Sequence, residues 1–193
     1  HVAPLSRHIA RTSLESARPW RNTLRLSLNV TPFELAAESY AVQLQELLDE
    51  TGFPAEQLTL EVTEQALVTD IKLAATILGG LASLGIRVGL DDFGAGFCNF
   101  RYLKLLPLDY LKLDRSMLDG ITTDGPDLAV FRAILAMARA LGLEVIAEGV
   151  ENDGQRKAIA REGCHFYQGF LRAKPLSGVA FAALAARLAG NRA

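Results

Sequence analysis

Several short apolar runs in this 193-residue chain end in residues able to bind a metal ion or move a proton. Asn29 closes one run and Glu61 with Glu64 the next. Asp91 with Asp92, Lys112 with Asp114, Glu148 with Glu151, and Gln168 follow. A lone acid at such a place commonly caps a helix or forms a turn, and Asp70, Asp127 and Asp153 read as caps of that kind. A whole series differs, because carboxylates gathered at one point repel each other unless cations sit among them. Carboxylate and amide oxygens suit hard divalent ions such as Mg2+ or Mn2+. Two such ions bridged by a carboxylate make the usual clamp for cleaving a phosphodiester, and the adjacent pair Asp91-Asp92 could serve it. Lys112 is the odd cation. It either neutralises a neighbouring acid or orients and deprotonates an attacking water, with nearby metals depressing its pKa. Asp92-Phe93-Gly94-Ala95-Gly96 reads either as a plain turn or as a loop that holds the aspartates and senses a ligand. His1, His8 and His165 show no metal-ligand spacing.

These residues need elements to carry them. Apolar periodicity predicts helices over 2–17, 37–50, 70–84, 100–106, 126–141, 153–162 and 179–188. Short β-rich runs predict strands over 24–30, 58–62, 86–90, 110–113, 144–147 and 166–170. Pro126 at the start of one helix and Gly142 just past its end follow the usual asymmetry of helix termini. Strands alternating with helices imply βαβ units and a parallel sheet, either an open doubly wound sheet or a closed barrel. The barrel is the better reading, because a barrel gathers every strand C-terminus on one face, and that is where the polar residues fall.

Half the residues are hydrophobic, 22% are charged and the net charge is -2. This is ordinary composition for one folded domain, and two independent domains would be a squeeze. A broad basic surface for duplex nucleic acid is excluded, whereas a small anionic ligand held through metals is not. No apolar run is long enough to span a bilayer and no secretory leader opens the chain, so Cys98 and Cys164 read as reduced thiols of a cytoplasmic protein.

Taken in order, Leu60-Glu61-Val62-Thr63-Glu64, Asp91-Asp92-Phe93-Gly94-Ala95-Gly96, Tyr102-Leu103-Lys104, Leu111-Lys112-Leu113-Asp114-Arg115, Ala147-Glu148-Gly149-Val150-Glu151 and Gln168-Gly169 resemble the successive motifs of EAL domains. Each is weak alone; together they span most of the chain and are specific. The resemblance implies an α/β, TIM-like (β/α)8-type barrel that hydrolyses cyclic di-GMP to linear pGpG with two Mg2+ or Mn2+ ions. By motif, it implies Asn29, Glu61 and Asp91 as ligands of one metal, and Asp91, Asp92 and Glu148 as ligands of the second. Lys112 would position or activate the nucleophilic water, with Gln168 ordering the water network, so that Lys112, Glu148, Gln168 and Asp92 form the catalytic set. Glu64 would anchor the loop that starts at Asp92, Glu151 would stand behind the ligands, and Asp114 and Arg115 are candidates to touch the dinucleotide. Homodimers and a flanking sensor or GGDEF-type module, with membrane tethering of the whole protein, are also implied by the resemblance.

Two departures from the family pattern stand out. The strand bearing the Glu-Ala-Leu motif does not occur in residues 1–193, so the expectation is one barrel domain whose first strand lies upstream of residue 1, the alternative being a degenerate member that never had it, and turnover by residues 1–193 alone is expected to be impaired. Ala95 stands where the family usually has threonine, and Cys98-Asn99 replaces a common serine pair, which removes a hydroxyl from the loop. Two other classes compete with a phosphodiesterase. One is a cyclic di-GMP receptor without turnover, which has no need of a full metal set. The other is an enolase-like barrel, in which lysine and strand-end carboxylates abstract a proton.

Overall fold

A computed structural model describes residues 2–67, 70–96, 100–164 and 166–190. Its strands are β1 (Leu26–Val30), β2 (Leu58–Thr63), β3 (Arg87–Phe93), β4 (Tyr110–Leu113), β5 (Glu144–Ala147) and β6 (Phe166–Tyr167). They form one parallel sheet in the order β1-β2-β3-β4-β5-β6. The order never reverses, which is the winding of a barrel and not of a doubly wound sheet. Among the described residues the helices are α1 (Val2–Ala17), α2 (Pro32–Leu35), α3 (Tyr40–Thr51), α4 (Glu64–Leu67), α5 (Ile71–Ser83), α6 (Tyr102–Leu105), α7 (Pro126–Ala140), α8 (Asp153–Arg161) and α9 (Gly178–Gly190). None of them is long and apolar enough to cross a membrane.

The strands alternate, and the alternation divides the molecule into two layers of opposite character. One face of the sheet carries Val30, Leu58, Leu60, Val62, Val88, Leu90, Leu111, Leu113, Val145 and Ala147, all buried. Successive strand side chains point to opposite faces, so these residues meet the helices outside the sheet. Helices bury their matching stripes there: Leu44, Leu47 and Leu48 of α3, Ala74, Ile77, Leu78 and Leu81 of α5, Leu128, Phe131, Leu135 and Ala138 of α7. Each buried leucine contributes about 1.5–3 kcal/mol by leaving water. The opposite face carries Ser27, Asn29, Thr59, Glu61, Asp91, Tyr110, Lys112 and Glu144. The hydrophobic core is therefore the shell between sheet and helices, and the inside of the sheet is polar.

That polar face is concave. A flat sheet would hold β2 and β5 about 14 Å apart, three strand spacings. Yet the side chains of Glu61 on β2 and Glu148 just past β5 both bond the single ammonium of Lys112, at 2.9 and 2.7 Å.

Several boundaries differ from those expected from sequence. β3 runs on through both aspartates to Phe93, and β6 is only two residues long. The helix expected over 37–50 starts at Tyr40, preceded by the short α2, whose Thr31 cap and Glu34 bond each other's backbone amides. Of the three acids read as caps, Asp70 is one: its Oδ1 accepts from the amides of Lys72 and Leu73, both at 3.0 Å. Asp127 is not, because Pro126 opens α7 and puts the cap at Gly125. Asp153 is not either. Asn152 caps α8 in a reciprocal box with Gln155, and Asp153 pairs with Arg156 at 2.9 Å. Both acids stand in a first turn, where the helix dipole favours them without a cap bond. Asp70→Ala is expected to lower stability by about 1 kcal/mol. In a thermal melt that is a Tm lower by about 2–4 °C, with the chemistry of the concave face unchanged.

Candidate active site

The site rises from the C-terminal ends of β2 to β5. Lys112 lies on the inner face of β4, only 5% exposed. Its Nζ donates to Glu61 Oε2 at 2.9 Å, Asp91 Oδ1 at 2.9 Å and Glu148 Oε1 at 2.7 Å. Burial opposes its charge, but the bonds to Glu148, Glu61 and Asp91 outweigh burial and hold the ammonium well above the usual lysine range. In this arrangement Lys112 is a hydrogen-bond donor to three carboxylates.

One ammonium cannot neutralise three carboxylates. Glu148 shows the consequence: burial raises its pKa, and Asp91 and Glu61 push the same way against the Lys112 bond. Asp92 is also raised, by burial first and then by Asp91 and Asp114. The bowl therefore carries excess negative charge that a cation would relieve.

Asp91 and Asp92 are neighbours in sequence, and on a regular strand they would point to opposite faces. The register between β3 and β4 shifts between Leu90 and Phe93, and Asp92 adopts the left-handed conformation at φ 55°. This bulge turns Asp92 back toward the concave side. Non-glycine residues rarely adopt that conformation, aspartate more readily than most, and it stores about 1–3 kcal/mol where a site requires it. As a result, Asp91, Asp92 and Glu148 each present a carboxylate oxygen, all within 4.8 Å of one another. Three hard oxygen donors converging on one point fit a divalent cation.

The other residues singled out from the sequence take three places around this centre. Asn29 is exposed on β1, opposite Glu61 in the strand register and on the same face. Asp114, Arg115, Glu151 and Gln168 line an open recess with Glu148. Within it Arg115 pairs with Glu151 at 2.9 Å. Asp114 Oδ1 accepts from the amide and hydroxyl of Ser116, bonds that hold its carboxyl below the usual range. Gln168 is fixed through its backbone, donating to Ala147 O at 2.8 Å and accepting from Val150 N at 3.1 Å. Glu64 lies on the other side, in a recess shared with Asp92, Ala95, Gly96 and Tyr102. His8 is exposed on α1 and Cys164 is a buried free thiol. His1, Cys98, Asn99 and His165 lie outside the described residues.

Sequence reasoning missed Tyr110. Its hydroxyl donates to Glu61 Oε1 at 3.0 Å, and its ring is buried. The signal was available: Tyr110 stands two residues before Lys112 on a strand, and so shares its face.

With this geometry in hand, comparison with known proteins is specific. The model of the EAL domain matches residues 1–175. The chain is 34% identical over 183 residues to the cyclic di-GMP phosphodiesterase PdeR of Escherichia coli strain K12, covering 93% of this chain and 28% of that protein. It thus spans under a third of that relative's length. The crystal structure of the EAL domain of Mycobacterium smegmatis DcpA superposes with a TM-score of 0.89 at 36% identity, over 95% of this chain and 84% of that one. The PaMucR phosphodiesterase in complex with c-di-GMP superposes with a TM-score of 0.86 at 29% identity, over 93% and 80% of the two chains.

Proposed function

Because this chain belongs to the EAL domain family, we propose that its acidic bowl hydrolyses cyclic di-GMP to linear pGpG in the cytoplasm, using Mg2+ or Mn2+. The observation that carries this reading is the convergence of Asp91, Asp92 and Glu148 within 4.8 Å of one another, beside an ammonium that bonds two of them. A receptor without turnover has no use for that donor set. Against an enolase-like barrel stand the EAL family match over residues 1–175 and the paired Asp91-Asp92 at the centre of the bowl.

Asp91, Asp92 and Glu148 would hold one ion, and Asn29, Glu61 and Asp91 a second. When bound, the ions would supply charge neutralisation at the phosphodiester and a more acidic attacking water. The chain's own residues do the rest. Water oxygen bonds to phosphorus, the bond from phosphorus to the ribose 3′ oxygen breaks, and that oxygen leaves with a proton. Where bound ions draw one of its three carboxylate partners away, Lys112 would have a hydrogen free to orient the attacking water or to stabilise charge building on the phosphoryl oxygens. Arg115 and Gln168 flank the recess beside Glu148 and suit contacts to phosphate and water.

Incubation with cyclic di-GMP and either Mg2+ or Mn2+ is expected to yield pGpG by liquid chromatography, with no product when the metal is chelated. Binding of the dinucleotide without any product would turn the reading to a receptor. Product formation indifferent to chelator would overturn the metal assignment.

A further inference from the structure

Tyr110 sits where no sequence motif pointed, below the metal-binding layer. β3 carries Gly89 beside it, and a Cβ at residue 89 would lie 2.3 Å from Tyr110 Cζ. The tyrosine ring thus fills the volume that a side chain on the neighbouring strand would take. From there its hydroxyl donates to Glu61 Oε1 at 3.0 Å, while Lys112 holds Oε2 at 2.9 Å. The Arg87 guanidinium stacks 5.5 Å from the ring centroid. Both carboxylate oxygens of Glu61 are therefore engaged, one from below and one from the side, by groups that are themselves buried.

Accepting the metal-dependent reading above, we propose that Tyr110 is a positioning residue, seated in the space left by Gly89, that fixes the Glu61 carboxylate in the orientation needed to ligate a metal ion. Lys112 shares its hydrogens among three acids and cannot set the Glu61 rotamer alone. A buried hydroxyl on a rigid ring can. Partners of this kind behind a ligand typically change metal affinity by about 10–100-fold when removed.

The test is Mn2+ binding read by electron paramagnetic resonance, which needs no substrate. Tyr110→Phe keeps the ring over Gly89 and removes only the hydroxyl. Its Mn2+ affinity is expected to fall about 10-fold, with an unchanged circular dichroism spectrum. In a Glu61→Gln background the same change is expected to cost less than about twofold, because the two residues act as one unit. Equal losses in both backgrounds, unaltered affinity in Tyr110→Phe, or no Mn2+ binding by the unaltered protein would each overturn the proposal. Mn2+ binding that depends on Tyr110 in a protein that leaves cyclic di-GMP intact would overturn the functional reading alone.

Discussion

Replacing Asp91 by asparagine is expected to lower metal-dependent turnover of cyclic di-GMP by more than about 100-fold, beyond what losing a partner behind a ligand costs, in a protein that stays folded. Asp91 is the one carboxylate that belongs to both proposed ligand sets, so its charge counts twice. The substitution is isosteric. An asparagine oxygen can still accept from Lys112 and from the Asp92 amide, the two bonds Asp91 Oδ1 makes at 2.9 and 3.0 Å. The bulge that presents Asp92 should therefore persist. What changes is the charge facing the cation, and a neutral amide oxygen bridges two divalent ions poorly. Circular dichroism separates folding from chemistry, and chromatography of pGpG reads the chemistry. A folded Asp91→Asn protein with normal turnover would sink the metal assignment. Loss of turnover with unaltered Mn2+ affinity would instead move Asp91 from holding metal to handling water.

How much of this was legible beforehand differs from residue to residue. The order of strands and helices was readable because the inner and outer faces of each strand differ so sharply. Leu58, Leu60 and Val62 alternate with Thr59 and Glu61, and in β3 period two holds as far as Asp91. The gathering of Glu61, Asp91, Lys112 and Glu148 followed from the barrel rule, without knowledge of any side-chain direction. The position of Asp92 did not follow. Strand alternation puts it on the wrong face, and only the register shift against β4 brings it back. No composition signal marks a bulge at an Asp-Asp pair. For Tyr110 the shared face with Lys112 was readable, but its role was not. Its role depends on an absence, the missing side chain of Gly89 on the adjacent strand, and the Gly89↔Tyr110 register is a fact of tertiary pairing. Asp127 and Asp153 were misread because a cap is set by backbone conformation at one residue, which Pro126 and Gln155 decide more strongly than the acids do.

Lys112→Met should give the largest change in stability available from a single residue of the site. Methionine keeps the length of the chain but offers no donor. Glu61, Asp91 and Glu148 would then face one another across a buried space with no counter-charge between them. Removing one partner from a buried ion pair typically costs about 3–5 kcal/mol, equivalent to a Tm lower by about 10 °C in a domain of this size. An exposed pair such as Arg7–Glu46, 3.9 Å apart, should contribute under about 1 kcal/mol by the same measurement. The lost stability should return in two ways. Saturating Mn2+ would replace the missing cation and raise Tm more in the variant than in the unaltered protein. Lowering the pH would do the same, because burial already holds the Glu148 and Asp92 carboxyls above their ordinary range and the variant removes the Lys112 bond that opposes this at Glu148. The folded form then binds more protons, and stability rises as pH falls through that range. At saturating metal, turnover should remain depressed with KM little changed, since the ammonium acts on the water and the phosphoryl charge and not on the guanine bases. A variant with unaltered Tm and no added response to Mn2+ would show that the three carboxylates do not need Lys112 as their internal cation. A large rise in KM at unchanged kcat would assign the ammonium to substrate binding instead.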